Sequence, residues 1–287
     1  MTNLTTGQIT PLNLLSQPPE VYWSPNGRYL LYGVHVEELA TNASYGDSRY
    51  QFQIAVYDFQ TGENIVLTET MNILILAGWS FDSQQIAFVS ATNGQIKNGL
   101  YSYGQFDLYT FNINSLTIFP LTNTPDIEIF AKWSPIQNLL FFGAMPIGET
   151  WPNDSYGLEF FPWIASHLYL TDGTNSEAVV SLEDIHSPVW SLDGQQIVYR
   201  RLGSSCFLDV EQVVFDCLPD QSLPMLIGNY EPSWSSDGRW IAMRVNDPEA
   251  TQQCGVVYIF DRMTNIAMPI DRNDCSYSPI YWSRLSP

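Results

Sequence analysis

The sequence predicts an all-β fold, a β-propeller of four-stranded blades, on three observations. A Trp-Ser pair recurs at intervals of 44 to 57 residues, at positions 23, 79, 133, 190, 234 and 282. A turn signal and a β-rich apolar run follow each of the first five pairs, as in Trp234-Ser235-Ser236-Asp237-Gly238 before Ile241-Ala242-Met243. Two further strand-like segments complete each copy. Four short strands in a repeat of this length are typical of a propeller blade, which packs against its neighbours to bury both faces.

The turn between the first two strands has its own signature. Asn26-Gly27, Asp193-Gly194 and Asp237-Gly238 suit a type I turn followed by a left-handed residue, a conformation that Gly adopts without strain. Two copies depart from this signature. Ser83 stands where the turn Gly is expected, and the third copy, Pro135-Ile136-Gln137, has neither Asp nor Gly.

The Trp-Ser-x-Asp-Gly pattern with its apolar run resembles the WD-like propeller repeats of the TolB type. Similar repeats occur in the propeller domains of prolyl-oligopeptidase and tricorn-like proteases. The resemblance covers nearly the whole chain and implies the propeller fold. It also implies a binding platform at the cell envelope, as in TolB-like relatives, although propellers carry many unrelated functions.

The repeats predict a single domain over residues 1–287, with blades starting near Trp23, Trp79, Trp133, Trp190 and Trp234. Residues 3–13 match a third-to-fourth strand turn, and residues 278–284 contain the sixth Trp-Ser pair. We expect these two segments to be closing strands that pair the chain ends and remove exposed sheet edges. A six-bladed ring with an incomplete or end-closed sixth blade is preferred, and a five-bladed ring is the alternative.

The chain is strongly acidic, with 30 Asp and Glu against 11 Lys and Arg, a net charge of −19. Such a surface repels phosphate backbones, which argues against nucleic-acid binding. Acidity of this kind serves solubility, or it attracts a basic partner or metal ions. No apolar run is long enough to predict a membrane span, and the Met1-Thr2-Asn3 start lacks the features of a signal peptide.

The four cysteines predict two disulfides. Residues 206–210 and 213–217 form a symmetric hairpin that places Cys206 opposite Cys217, a separation that a disulfide can span. Cys254 opens a third strand in the next repeat, and Cys275 follows the fourth. Free thiols or a zinc site are the alternatives, but no Cys-x-x-Cys or nearby His supports metal. Disulfides imply an oxidising compartment, so we expect an extracellular or periplasmic protein.

The candidate binding site lies on the face that carries the predicted long loops. These loops join second to third strands over residues 36–51, 90–106, 144–165 and 246–253, and they share a face with the connections between blades. Long loops on a rigid scaffold commonly bind ligands. Alternatively, their aromatic residues pack the loops onto the blades. The predicted binding residues are Tyr103, Asp126, Glu128, Trp151, Trp163, Asp184 and Glu231.

These features favour a non-catalytic, exported propeller that binds a protein or peptide with Lys or Arg residues. The sequence has no Gly-x-Ser-x-Gly elbow, no metalloprotease motif and no nucleotide fingerprint. One alternative is a propeller that binds or hydrolyses carbohydrate, with Trp151, Trp163 and Tyr103 as stacking platforms and paired carboxylates as catalysts. Another is a structural module of a larger cell-envelope protein. No cofactor is predicted, although calcium is left open because carboxylates are plentiful.

Overall fold

A computed structural model describes residues 7, 11–16, 18, 20–42, 47–92, 95–97, 100–102, 105–145, 164–173, 176–201, 204–217, 232–246, 255–274 and 282. All regular secondary structure in these residues is β-strand. Within the described part of the chain, no helix has the length and hydropathy of a membrane span.

The described strands form two four-stranded sheets, one eleven-stranded sheet and a separate two-stranded hairpin. We divide the eleven-stranded sheet into three consecutive blades, so that the described strands are assigned to five blades in chain order. Blade 1 contains β1 (Val21–Trp23), β2 (Tyr29–Asn42), β3 (Asp47–Asp58) and β4 (Glu63–Val66). Blade 2 contains β5 (Asn72–Trp79), β6 (Gln85–Thr92), the added hairpin β7 (Gln95–Lys97) and β8 (Leu100–Ser102), then β9 (Gln105–Asn112) and β10 (Thr117–Pro120). Blade 3 contains β11 (Ile127–Trp133), β12 (Leu140–Met145), β13 (Ile164–Thr171) and the first half of β14 (Ser176–Trp190). Blade 4 contains the rest of β14, β15 (Gln196–Arg201), β16 (Ser204–Asp209) and β17 (Val214–Cys217). Blade 5 contains β18 (Ser233–Trp234), β19 (Trp240–Asn246), β20 (Gly255–Asp261) and β21 (Ile266–Asp274). The all-β propeller prediction is confirmed.

Each blade has two ends, which define two faces of the molecule. Connections from first to second and from third to fourth strands lie together on what we call the turn face, as the ion pair between Arg28 and Asp58 (2.8 Å) shows in blade 1. Arg239 and Asp261 (2.7 Å) repeat this pair in blade 5. Connections from second to third strands, and from one blade to the next, lie on the opposite loop face.

Hydrogen bonds explain the Trp-Ser-x-Asp-Gly motif. In blade 5, the Ser235 hydroxyl donates to Asp237 Oδ1 (2.5 Å) and accepts from the Trp240 amide (2.9 Å). Asp237 Oδ1 also accepts from the Arg239 amide (3.1 Å). Gly238 has a φ of 69°, as the sequence predicts for the left-handed position. Blades 1, 2 and 4 contain the same Ser-centred and Asn- or Asp-centred bonds.

The two departures from the motif bond neighbouring turns together. Ser83 adopts the left-handed conformation (φ 63°) in place of Gly, and its hydroxyl accepts a hydrogen bond from the Asn26 amide of blade 1 (3.0 Å). In blade 3, Gln137 stands at the Gly position, and its Nε2 donates to the Gly194 carbonyl of blade 4 (3.3 Å). The next residue, Asn138, accepts from the Asp82 amide (3.0 Å) and donates to its carboxylate (2.7 Å). Residues that break the local pattern therefore contribute bonds between blades.

The repeated tryptophans join consecutive blades. Trp79 Nε1 donates to the Tyr22 carbonyl of blade 1 (3.2 Å), and Trp190 Nε1 donates to the Lys132 carbonyl of blade 3 (3.0 Å). Each acceptor directly precedes the Trp of the previous blade. Trp282 makes the same bond to the Ser233 carbonyl of blade 5 (2.8 Å), so it occupies the corresponding position after blade 5. The rest of 278–284 lies outside the described residues, and the six-bladed ring stays a prediction.

Apolar side chains fill the spaces between blades. One cluster joins blades 1 and 2 and includes Leu31, Val56 and Phe88. A larger cluster joins blades 2, 3 and 4, and a third joins blades 4 and 5 around Phe207 and Trp234. Burying one such side chain contributes about 1.5–3 kcal/mol, so this packing is the main source of stability.

The N-terminal segment covers blade 1 on the side away from blade 2. Leu14 packs against the cluster around Tyr32 and Val34, and the Asn13 carbonyl accepts a hydrogen bond from Asn64 Nδ2 (2.7 Å). Residues 11–13 of the predicted closing strand 3–13 form no strand, and of the others only Gly7 is among the described residues.

Two predicted connections are wrong because the strands continue further than expected. β2 runs to Asn42 and β3 begins at Asp47, so most of the predicted loop 36–51 is a strand pair with irregular register. β14 runs without a break from Ser176 to Trp190 and serves two blades. Glu128 and Asp184, both expected in connections between blades, instead lie within strands β11 and β14. These polar stretches form strands because their backbone groups pair with a neighbouring strand, although their composition is typical of a loop.

The predicted Cys206–Cys217 disulfide is present, with the two residues directly opposite each other in the β16–β17 ladder. Cys254 and Cys275 lie outside the described residues. The last described pair of the β20–β21 ladder is Gly255 with Asp274.

We expect Leu116→Gly to stabilise the protein. Leu116 has a φ of 55° in an exposed turn, where its side chain is 67% accessible, and the left-handed conformation costs a non-Gly residue about 1–2 kcal/mol. Urea unfolding should show a gain of about 1 kcal/mol. Leu116→Ala keeps the Cβ atom and should gain no more than a few tenths. Equal effects of the two substitutions would contradict this account.

Candidate functional site

The candidate site lies on the loop face, where blade 3 begins beside blade 2. β11 and β9 pair in parallel at Ile127 and Phe106, which links the two blades. This pairing brings Asp107 at the start of β9 to the same end of the molecule as Glu128 at the start of β11. We call this place the blade 2–blade 3 junction.

Thr122 lies in the connection between the two blades and hydrogen-bonds to a residue of each blade. Its hydroxyl accepts a hydrogen bond from the Leu108 amide (2.8 Å) and hydrogen-bonds the Glu128 carboxyl group. Thr68 makes the corresponding bond to the Ile54 amide (2.9 Å) in blade 1. The threonine is thus a repeated structural feature, and its bond to a carboxyl group is the additional feature of this junction.

Glu128 is the unusual residue of the junction because it is only 1% exposed. It lies next to a register shift between Glu128 and Phe130, and such bulges redirect side chains. Glu128 is opposite Ala144, which is opposite His167, so the three form one row across blade 3. Glu128 Oε2 and His167 Nδ1 are both buried and have no hydrogen-bond partner. Buried polar atoms are usually paired, so this row has unused capacity for hydrogen bonding.

Burial raises the pKa of Glu128 to about 8. The Thr122 hydrogen bond opposes this rise in pKa, while the negative charges of Asp107 and Asp126 add to it. Burial also raises the pKa of Tyr109, with contributions from Asp107 and Glu128, and that of Tyr169, with contributions from Asp126 and Glu128. Glu128 is therefore mostly protonated at pH 7, and the whole junction favours added positive charge.

The structure brings together two of the predicted binding residues, Asp126 and Glu128. Asp184 lies in β14, the strand that runs from blade 3 into blade 4. The other predicted binding residues, Tyr103, Trp151, Trp163 and Glu231, lie outside the described residues.

Sequence reasoning did not anticipate Asp107, Thr122 or His167 as neighbours of Glu128. One signal did exist. Five residues before Trp133 stands Glu128, whereas Leu74 and Ile185 occupy this spacing before Trp79 and Trp190. A carboxylate at a position that is apolar in neighbouring repeats indicates a special site.

Across the described ranges, no group of three or more His, Cys, Asp or Glu residues is arranged to hold a metal ion. The carboxyl groups of the junction are therefore not gathered around one point, as calcium ligands would be.

We expect the Glu128→Gln variant to be more stable than the wild type at neutral and alkaline pH. The raised pKa of Glu128 means that the folded state holds a proton that the unfolded state releases above about pH 4.5. This residue therefore lowers wild-type stability as pH rises from about 4.5 to 8, by up to about 1.4 kcal/mol per pH unit. Glutamine has no such dependence.

Urea unfolding between pH 5 and 9 measures this effect as the stability difference between the variant and the wild type. The difference should grow with pH and level off above about 8. Glu211→Gln, which removes an exposed carboxylate on the turn face, is the matched control and should not reproduce the trend. A constant difference for Glu128→Gln would refute the raised pKa.

No protein-family model matches the chain, and no curated protein sequence matches it. Solved structures do. TolB from Acinetobacter baumannii is 16% identical with a TM-score of 0.51, over 90% of this chain and 56% of that chain. Dipeptidyl peptidase 4 from Porphyromonas gingivalis is 12% identical with a TM-score of 0.58, over 95% of this chain and 43% of that chain. The tricorn protease is 13% identical with a TM-score of 0.52, over 79% and 25%.

The chain thus spans about half the length of the TolB chain that it matches. At these identities the similarity concerns architecture and not activity. It confirms the resemblance found in the repeats: the chain has a TolB-like β-propeller fold.

Proposed function

We propose that this chain is a non-catalytic, exported propeller whose loop face binds a protein or peptide with basic residues. The electrostatic influence of Asp107 and Asp126 on Glu128 at the blade 2–blade 3 junction is the observation that supports the proposal. Two of these acids are almost fully buried, Asp107 at 3% and Glu128 at 1% exposure. Burying an acidic side chain is costly unless it is hydrogen-bonded or paired, so acids kept at buried positions commonly have a structural or binding role.

The net charge of −19 supports the same conclusion over longer distances. A strongly acidic surface attracts a basic partner and raises the rate of association, while specific contacts determine how long the complex lasts. Asp126 is partly exposed and is suited to first contact. Tyr103, Trp151, Trp163, Asp184 and Glu231 remain proposed members of the same surface, with the aromatic residues as anchors.

The Cys206–Cys217 disulfide supports export, because disulfides persist in oxidising compartments. The sequence contains no Gly-x-Ser-x-Gly elbow, which favours binding over hydrolysis of the peptidase type.

A peptide-display experiment tests the proposed function. The wild-type protein should select peptides enriched in Arg and Lys from a random library. Their affinity, measured by fluorescence anisotropy, should fall as salt rises, because the screening length shortens from about 30 Å at 0.01 M to about 10 Å at 0.1 M. Asp126→Asn should weaken binding about two- to fivefold.

Glu211→Gln is again the matched control, since it removes the same charge from the turn face and should leave affinity unchanged. Selected peptides without basic residues, or salt-independent binding, would argue against the electrostatic role. A glycan array and a hydrolysis assay cover the carbohydrate alternative, and a positive result there without peptide binding would replace this proposal.

We also expect peptide mapping without reductant to show Cys206 linked to Cys217 and Cys254 linked to Cys275. Replacing Cys206 and Cys217 together by Ala should lower the free energy of unfolding by about 2–3 kcal/mol, as expected for a short closed loop. The matched comparison is the wild type under reducing conditions. Alkylation of Cys254 or Cys275 in the folded, non-reduced protein would contradict the second disulfide.

A further inference from the structure

Blade 4 has two hydrogen-bond donors at its loop-face end that are left unused within the described part of the chain. Arg200 lies directly opposite Ser205, where β15 ends and β16 begins. Arg200 Nε and Ser205 Oγ are both buried and have no hydrogen-bond partner. Ser205 is only 2% exposed, whereas Arg200 is partly exposed, so its guanidinium group can be reached from the surface. We call these two residues the Arg200–Ser205 pair.

The Arg200–Ser205 pair faces blade 5. Directly opposite residues of two strands lie on one face of the sheet, with their Cβ atoms about 4.5–5.5 Å apart, and every second pair shares that face. Val198 and Phe207, the next pair on the same face, belong to the apolar cluster that joins blades 4 and 5. The Arg200–Ser205 pair therefore lies on the loop-face side of this cluster, at the edge of the gap between the two blades.

The other described blades place an aliphatic residue at the position of Ser205. The pairs that correspond to Arg200–Ser205 are Gly33–Ile54, Val89–Leu108, Gly143–Leu168 and Arg244–Val257. The second residue of each of these pairs is at most 7% exposed. The fold thus fills this place with an apolar side chain and does not need a hydroxyl group there.

A buried hydroxyl without a partner is costly, so its presence needs an explanation. Blade 4 combines this cost at Ser205 with a second unused donor, Arg200 Nε, in the same row. Residues that break the pattern of a fold without a structural gain commonly belong to functional sites. The two donors on one face therefore indicate a ligand with hydrogen-bond acceptors.

The neighbouring residues add donors and positive charge. His186 lies opposite Arg200 on the other side, so that His186, Arg200 and Ser205 form one row across three strands. Arg201 is the next residue along β15 and acts at the same end of the blade. Burial raises the pKa of Tyr199 to about 12, and the positive charge of Arg201 opposes this rise.

The ligand that fits is an anion with two oxygen acceptors. A guanidinium group can donate two parallel hydrogen bonds to a carboxylate or a phosphate group, and hydrogen bonds between charged groups are the stronger ones. The net charge of −19 opposes a dianion more than a monoanion, because the electrostatic energy grows with the charge of the ligand. A carboxylate is therefore favoured over a phosphate ester.

We propose that the Arg200–Ser205 pair binds the carboxylate group of a ligand at the loop-face edge of the gap between blades 4 and 5. Arg200 donates to the carboxylate from Nε, and Ser205 donates from Oγ. This site takes a group of the opposite charge from the one proposed for the blade 2–blade 3 junction, and it does not depend on that proposal. A small organic acid or the carboxylate of a peptide can supply the group.

Titration of the isotope-labelled protein with acetate at neutral pH tests the site, followed in proton–nitrogen correlation spectra. The Arg200 Nε–H signal, identified by its absence from the Arg200→Lys variant, should shift with a Kd in the millimolar range, as expected for so small a ligand. N-acetyl-L-alanyl-L-alanine and its C-terminal amide distinguish the sources of the carboxylate. Tighter binding of the acid than of acetate assigns the site to a peptide terminus, and equal binding assigns it to a small acid.

Two variants remove one donor each, and the backbone amide signals of residues 204–206 report their affinity. Arg200→Lys keeps the charge but loses the flat fork, and Ser205→Ala removes a hydrogen bond to a charged group, so each should weaken acetate binding about tenfold. Arg28→Lys is the matched control, because it makes the same change on the turn face and should leave the affinity unchanged.

Urea unfolding separates a binding role from a structural one. Ser205→Ala removes a buried hydroxyl that has no partner, so its unfolding midpoint should equal or exceed that of the wild type. A lower midpoint would show that the hydroxyl serves the fold and would overturn the proposal. Absence of an acetate-induced shift, or equal acetate affinity in the wild type and both variants, would overturn it as well. Tighter binding of inorganic phosphate than of acetate would reject the carboxylate assignment.

Discussion

The structure depends on apolar packing between the faces of neighbouring blades. Each blade is one sheet thick and is apolar on both sides, so it excludes water only when another blade covers it. Trp79 and Trp190 reinforce this packing, because each fills the space beside the previous blade and donates a hydrogen bond to it. Trp133 and Trp234 fill equivalent spaces, although their Nε1 atoms have no partner. Packing, more than the indole hydrogen bond, therefore holds the blades together.

The candidate site is a consequence of this packing. The junction that buries Leu108 and Phe142 also excludes water from Glu128, and this desolvation produces its raised pKa. The same residue in an exposed loop would be an ordinary carboxylate. Burial of Glu128 therefore lowers the stability of the fold at neutral pH.

On the turn face, side chains of the motif make hydrogen bonds within their own turn, and other side chains bond the turns of neighbouring blades to each other. The Ser and Asp side chains of the motif accept hydrogen bonds from backbone amides of their own turn, as Ser235 and Asp237 do. Ser83 and Gln137, which stand at the Gly position of the motif, instead bond to residues of an adjacent turn. The repeats are thus not equivalent copies, and their differences add hydrogen bonds between the turns of neighbouring blades.

The sequence by itself determined the blade, its turns and the pairing of Cys206 with Cys217, because all three depend on residues that are close along the chain. It also placed Asp126 and Glu128 on the loop face. Only the tertiary structure decided that Asp107 lies within electrostatic range of Glu128 and that His167 lies two strands from it in the same row. It also decided that β2, β3 and β14 continue through predicted loops. Contacts of this kind depend on strand register, bulges and the packing of one blade on another. These involve residues far apart in sequence and leave no periodic signal in it.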